Sequence, residues 1–222
     1  MAFDAVGTLI TPFPSVAEVY QVAARRGGIE LPVPQIRERF VRVLRSRTLL
    51  ETSEQKEYQF WQATVADVLG PVRHPEQCFQ ELYRHFGQPE SWQLAPQAAE
   101  TITRLQQQGI DVCVASNFDA RLRTVMQGIP ELNRIRTMII SSEVGWRKPD
   151  PRFYQALLAQ LPYPATQILM VGDDYELDIV PAQTLGLQTR HLQTTLAAGV
   201  SPVPGVISSL MEVAEFCEAS QK

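Results

Sequence analysis

Short apolar segments that stop on polar residues, with helical periodicity between them, constrain this chain more than any other feature. Met1-Ala2-Phe3 runs into Asp4, residues 111–115 run into Ser116-Asn117, and residues 167–171 run into Gly172-Asp173-Asp174. Residues 137–140 form another such segment, and residues 187–192 read as a further short strand. Such runs suit strands buried on both faces. Helical spacing at about 97–108, 119–127, 151–161 and from 208 onward separates most of them. Strands alternating with helices predict an α/β protein with a parallel sheet covered on both sides.

Residues 13–92 read differently, as an all-helical unit inserted just after the first strand. Ser15 is placed to cap a helix whose one face carries Val16, Val19, Tyr20 and Ala23, with Gly27-Gly28 as its stop. Ile36, Phe40, Val43 and Leu44 mark a second helix, and Tyr58, Trp61, Val65 and Val68 a third. A fourth, from about Pro75 to Phe86, presents Cys78, Leu82 and Phe86. The expected division is a core of residues 1–12 and 93–222 with an insertion of residues 13–92. A length of 222 residues suits one core with a modest insertion.

Composition removes several function classes. A 45% hydrophobic and 20% charged chain is not a disordered one, and a net charge of -4 offers no basic surface for nucleic acid. No apolar run approaches the ~20 residues of a membrane span. No basic segment followed by an apolar run opens the chain, so the expected location is cytoplasmic. Cys78, Cys113 and Cys217 lie far apart and read as small buried hydrophobes. Only three residues precede Asp4, whereas a central strand usually has five or six. The first strand is therefore expected to be stunted, or to begin upstream of Met1.

In open parallel sheets, ligands bind at the carboxyl ends of the strands. Asp4, Ser116, the Asp173-Asp174 pair and a loop with Arg147 and Lys148 are expected to converge there. Paired carboxylates at such a point suit Mg²⁺, a hard cation that shares oxygen ligands with a phosphate. Lys148 stands out because the 20 basic residues include only three lysines. A lysine gives a compact point charge where arginine gives a planar fork.

The order Asp4-Ala5-Val6-Gly7-Thr8-Leu9, Ser116-Asn117, Lys148-Pro149-Asp150 and Gly172-Asp173-Asp174 with Asp178 resembles the four motifs of the haloacid dehalogenase-like hydrolases. The resemblance spans nearly the full chain and implies a Rossmann-like core with an inserted α-helical cap domain. It implies that Asp4 is a nucleophile forming a covalent aspartyl intermediate. Ser116 would hydrogen-bond the transferred group, helped by backbone N–H groups near Gly7 and Thr8 and at Asn117. Lys148 would hold Asp4, and Asp4, the Val6 carbonyl and Asp173 would hold Mg²⁺, supported by Asp174 or Asp178.

One position departs from the resemblance. Phosphatases of the family carry a second aspartate two residues after the nucleophile, where this chain has Val6. General acid–base help is worth ~10²–10⁴ in rate. The expected activity is therefore a weakened Mg²⁺-dependent phosphatase acting on a small phosphorylated or acidic molecule, with acyl or aryl phosphates favoured. The alternatives are an inactive protein that binds or assembles with a partner protein, and a haloacid or phosphonate hydrolase. A phosphonatase would need a cap lysine, and Lys56 is the only one. Arg37, Arg39, Arg42, Arg45 and Arg47 are expected on a solvated helix face, and His74, His85 and His191 carry no expected role. Trp61, Trp92 and Trp146 are expected to pack, with Trp146 the one near the pocket.

Overall fold

The computed structural model describes residues 1–194 and 204–220. Six parallel strands form the main sheet: β1 (Ala2–Phe3), β4 (Cys113–Ser116), β5 (Thr137–Ile140), β6 (Leu169–Gly172), β7 (Gln188–Leu192) and β8 (Val206–Ile207). Their order is β5-β4-β1-β6-β7-β8. The chain builds outward from β1 in one direction and then returns to build in the other. The reversal opens a crevice beside β1, at the carboxyl end.

Period-two alternation distributes the strand side chains between two cores. Phe3, Val114, Leu169 and Val171 pack on one face with α5 (Ala98–Gln107), α6 (Arg121–Gly128) and α10 (Met211–Ser220). Ala2, Cys113, Ala115 and Met170 face the other, against α8 (Pro151–Gln160) and α9 (Val180–Thr184). β1 is as short as its sequence implies, yet both its residues are fully buried between β4 and β6. The structure adds the four-residue helix α7 (Ser141–Val144) and strand β8, both too short to show periodicity. Cys78 and Cys113 are buried; Cys217 is only half-buried.

The inserted segment forms α1 (Val16–Arg26), α2 (Val33–Ser46), α3 (Glu54–Leu69) and α4 (Pro75–His85). Ser15 and Glu18 make a reciprocal capping box that fixes the start of α1. Tyr20, Ile36, Val65, Leu69, Phe79 and Leu82 belong to a third core, private to these helices. Where the chain enters and leaves them, β2 (Ile10–Pro12) and β3 (Trp92–Leu94) pair antiparallel. This ribbon was not expected, because three-residue strands carry too little pattern to read. No helix among the described residues is long and apolar enough to cross a membrane.

Candidate active site

Asp4 leaves β1 as the central strand ends, and Lys148 reaches it from the loop before α8. The Lys148 ammonium donates to Asp4 Oδ1 at 2.7 Å, Asp178 Oδ1 at 2.6 Å and the Ala115 carbonyl at 2.9 Å. All three of its protons are thereby used. Lys148, Asp4 and Asp178 are buried, at 4%, 7% and 1% exposure. Burial disfavours the Lys148 ammonium, but the charges of Asp178 and Asp4 outweigh it and hold its pKa above the usual lysine value.

The loop carrying Lys148 is itself pinned. Asn117 accepts from the Lys148 backbone N–H at 2.7 Å and donates to the Lys148 carbonyl at 3.0 Å. Asp150 caps α8 through the Arg152 N–H at 2.9 Å, with Pro151 at the first helical position. The Asn117 side chain therefore positions Lys148, a role beyond the backbone N–H contact expected of this residue. Gly7 likewise donates its N–H to the Ile10 carbonyl at 2.8 Å, so the turn uses a donor expected to meet the substrate. The Thr8 hydroxyl turns to Asp173 Oδ1 at 3.2 Å. Ser116, 2% exposed, lines the cavity described below.

Two glycines let the carboxylates meet. A Cβ at Gly7, whose φ is +97°, would overlap the Asp173 carboxylate, and one at Gly172 would overlap that of Asp178. Asp4, Asp173 and Asp178 each bring an oxygen to a point where the three atoms lie within 4.8 Å of one another. Asp174 is placed elsewhere: its carboxylate accepts from the Glu176 and Leu177 N–H groups at 3.0 Å each, capping a π-helical turn at Tyr175–Ile179. That turn brings Asp178, rather than Asp174, into the cluster.

Burial pushes all three clustered carboxyls above the ordinary aspartate range. Lys148 opposes the shift at Asp4, while Asp178 adds to it at Asp173. Asp178 is pushed up to about 6 by burial, with Lys148 again opposing. Three carboxylates facing one ammonium leave an excess of negative charge, with Asp4 and Asp178 buried and Asp173 at the exposed edge. An all-oxygen donor set of this kind fits a hard divalent cation.

A cavity of about 340 Å³ rises from this cluster into the helical unit. Its floor carries Asp4, Ser116, Lys148, Asp173 and Asp178; Val6 stands among them as an apolar side chain. Its upper wall comes from α1 to α4 and is almost wholly apolar and aromatic. Trp61 and Trp92, expected only to pack, line it, whereas Trp146 lies outside with Arg152 stacked 3.1 Å from its ring centroid. None of the four arginines of α2, nor Arg47 just beyond it, lines it, and Lys56 instead pairs with Glu51 at 3.0 Å.

Two contacts between the helical unit and the sheet were not anticipated. Arg121 forks onto buried Asp119, donates to the Tyr83 carbonyl and stacks 3.4 Å from the Tyr83 ring centroid. Glu57, fully buried on α3, accepts from Thr52 at 2.9 Å and Ser141 at 3.4 Å and pairs with Arg147 at 3.5 Å. The only sequence signal for the first was the spacing of Asp119 and Arg121 just beyond Asn117. Glu57 sits in the charged first turn of α3 and resembles an ordinary exposed residue until the chain folds.

The family profile of the haloacid dehalogenase-like hydrolases matches residues 1–186. The chain is 29% identical to haloacid dehalogenase-like hydrolase domain-containing protein 3 of Bos taurus, over 95% of this chain and 86% of that one. It is 33% identical to a ribulose-1,5-bisphosphate 5-phosphatase of Halopiger xanaduensis, over 45% of this chain and 42% of that one. Its fold is similar to L-2-haloacid dehalogenase from Xanthobacter autotrophicus, with a TM-score of 0.72 at 15% identity, covering 98% and 97% of the two chains.

Proposed function

The chain belongs to the haloacid dehalogenase-like hydrolases, and on that premise we propose that it is a Mg²⁺-dependent phosphomonoester hydrolase with Asp4 as nucleophile. The observation that carries this reading is the Lys148 ammonium held between Asp4 and Asp178, beside the three-carboxylate cluster, at the floor of the cavity under the helical unit.

Lys148 fixes one oxygen of Asp4 and leaves the second for in-line attack on phosphorus. The new bond is Asp4 oxygen to phosphorus; the bond that breaks is phosphorus to ester oxygen, whose electrons leave with the alcohol part. Water then attacks the phosphorus, the bond from phosphorus to the Asp4 oxygen breaks with its electrons returning to the carboxylate, and phosphate departs with the water protons. Ser116 and the Lys148 charge would stabilise the transferring group. Asp4, Asp173 and Asp178 would hold Mg²⁺, with the Val6 carbonyl as a further ligand and Asp174 supporting the turn that carries Asp178. When bound, the ion would neutralise charge on the phosphoryl oxygens. Residues 13–92 would act as the cap over a core of residues 1–12 and 93–222, excluding bulk water.

Val6 cannot donate a proton, so the favoured substrates are those whose leaving group departs as an anion: acyl or aryl phosphates. The same residue supports the second reading, an inactive member that binds a partner protein. Hydrolysis of 4-nitrophenyl phosphate with and without Mg²⁺, with Asp4→Asn beside the unmodified protein, separates them. Turnover abolished by both chelation and Asp4→Asn is the expected result; two equally silent proteins would sink the phosphatase reading.

A further inference from the structure

The cavity is divided by chemistry. All its carboxylates and cations come from the sheet side, and the helical unit contributes no charged side chain to it. Both arginines on the lining are already engaged, Arg121 by Asp119 and Arg147 by Glu57. The wall above is a run of rings in mutual contact. Phe40 meets Tyr20 with centroids 5.6 Å apart, Tyr20 meets Phe86 at 6.4 Å, Phe86 meets Trp92 at 6.1 Å and Trp92 meets Phe118 at 5.9 Å. Rings packed in this way form a preformed apolar surface. A sugar body would bring several hydroxyls against this wall, where few donors or acceptors meet them.

Resting on the phosphatase reading above, we propose that the substrate class is a phosphomonoester of a phenol bearing a bulky apolar body, with the phosphoryl group at Asp4 and the body against the rings of Phe40, Tyr20, Phe86 and Trp92. Two independent features select it. Val6 demands a leaving group that departs unprotonated, which a phenol does and an aliphatic alcohol does not. The wall demands an apolar body, which separates such aryl esters from small acyl phosphates. A volume of about 340 Å³ accommodates a substituted ring.

A series of 4-alkylphenyl phosphates from methyl to pentyl tests this, because the leaving-group acidity stays nearly constant while the apolar body grows. Acetyl phosphate serves as the body-free reference and glucose 6-phosphate as the polar one. In parallel, calorimetry with Mg²⁺ and the matching 4-alkylbenzylphosphonates reads binding without turnover. The expected result is a rise in both kcat/KM and affinity of roughly threefold per methylene, about 10² across the series. Phe40→Ala should lower the pentylphenyl-to-acetyl ratio of kcat/KM about tenfold. A flat series while acetyl phosphate is hydrolysed overturns the substrate class and leaves the phosphatase reading intact, as does faster hydrolysis of glucose 6-phosphate. Affinity that climbs with chain length in a protein that hydrolyses nothing supports the ligand class and defeats the phosphatase reading.

Discussion

The floor and the wall of the cavity are built on opposite principles. At the floor, Lys148 spends every proton, Asn117 spends its amide on the Lys148 backbone, and Thr8 spends its hydroxyl on Asp173. Each group is held by directional bonds in a buried setting, where an unpaired charge is costly. The wall holds its shape by ring packing, with no ion of its own. Directional bonding fixes a reaction geometry; apolar packing fixes a size and leaves the identity of the occupant open. The difference separates what this chain would do to a substrate from which substrate it would admit.

The largest expected break is at the floor. Lys148→Met removes the one cation between Asp4 and Asp178 and should cost about 3–5 kcal/mol of stability at pH 7, since two buried carboxylates lose their partner. Urea denaturation measures it, and a loss below about 1 kcal/mol would mean that the site is wet and weakly coupled. Next comes Val6→Asp, which restores a proton donor without touching the wall. Turnover of an alkyl phosphate should rise about a hundredfold, while the preference for longer apolar bodies persists. A variant that stays inert would show that the floor lacks more than an acid.

A smaller effect is expected from Gly172→Ala, whose methyl group would collide with the Asp178 carboxylate. Displacing that carboxylate should weaken Mg²⁺ binding about tenfold by calorimetry, with affinity for apolar phosphonates falling less. Unchanged Mg²⁺ affinity would remove Asp178 from the ligand set.

The smallest lies at the seam between helical unit and sheet. Burial pushes Glu57 above its ordinary value of 4.5, with Arg147 and Thr52 opposing. A carboxyl with a raised folded pKa is favourable to folding below its unfolded pKa, and that contribution is lost as pH rises through the folded value. Relative to the unmodified protein, Glu57→Gln should therefore gain stability as pH is raised from 4 to 7. A stability difference that does not change with pH would show that Glu57 titrates normally.

Much of the sheet was legible because buried parallel strands are marked by apolar runs that stop on polar residues, and the stops are the site. Asp4, Ser116 and Asp173 were visible for that reason, and Ser15 announced α1 as its cap, to which the structure adds the reciprocal bond from Glu18. The choice of Asp178 over Asp174 was not visible. Two acids four residues apart are equivalent on paper, and only the π-helical turn and the space at Gly172 distinguish them. The short strands β2, β3 and β8 escaped because two or three residues cannot display a period.

The sequence by itself determined the α/β class, the family and which residues gather at the floor, since strand ends and motif residues are local and carry their own signal. It also determined the departure at Val6, which is a matter of identity alone. The tertiary structure decided that Asn117 braces Lys148, that Glu57 is buried against Arg147, and that rings from α1, α2 and α4 join Trp92 and Phe118 in one wall. Those relations join residues tens of positions apart. An aromatic residue on a helix carries the same apolar signal whether it fills a core or faces a cavity, and only the packing of the helices over the sheet separates the two.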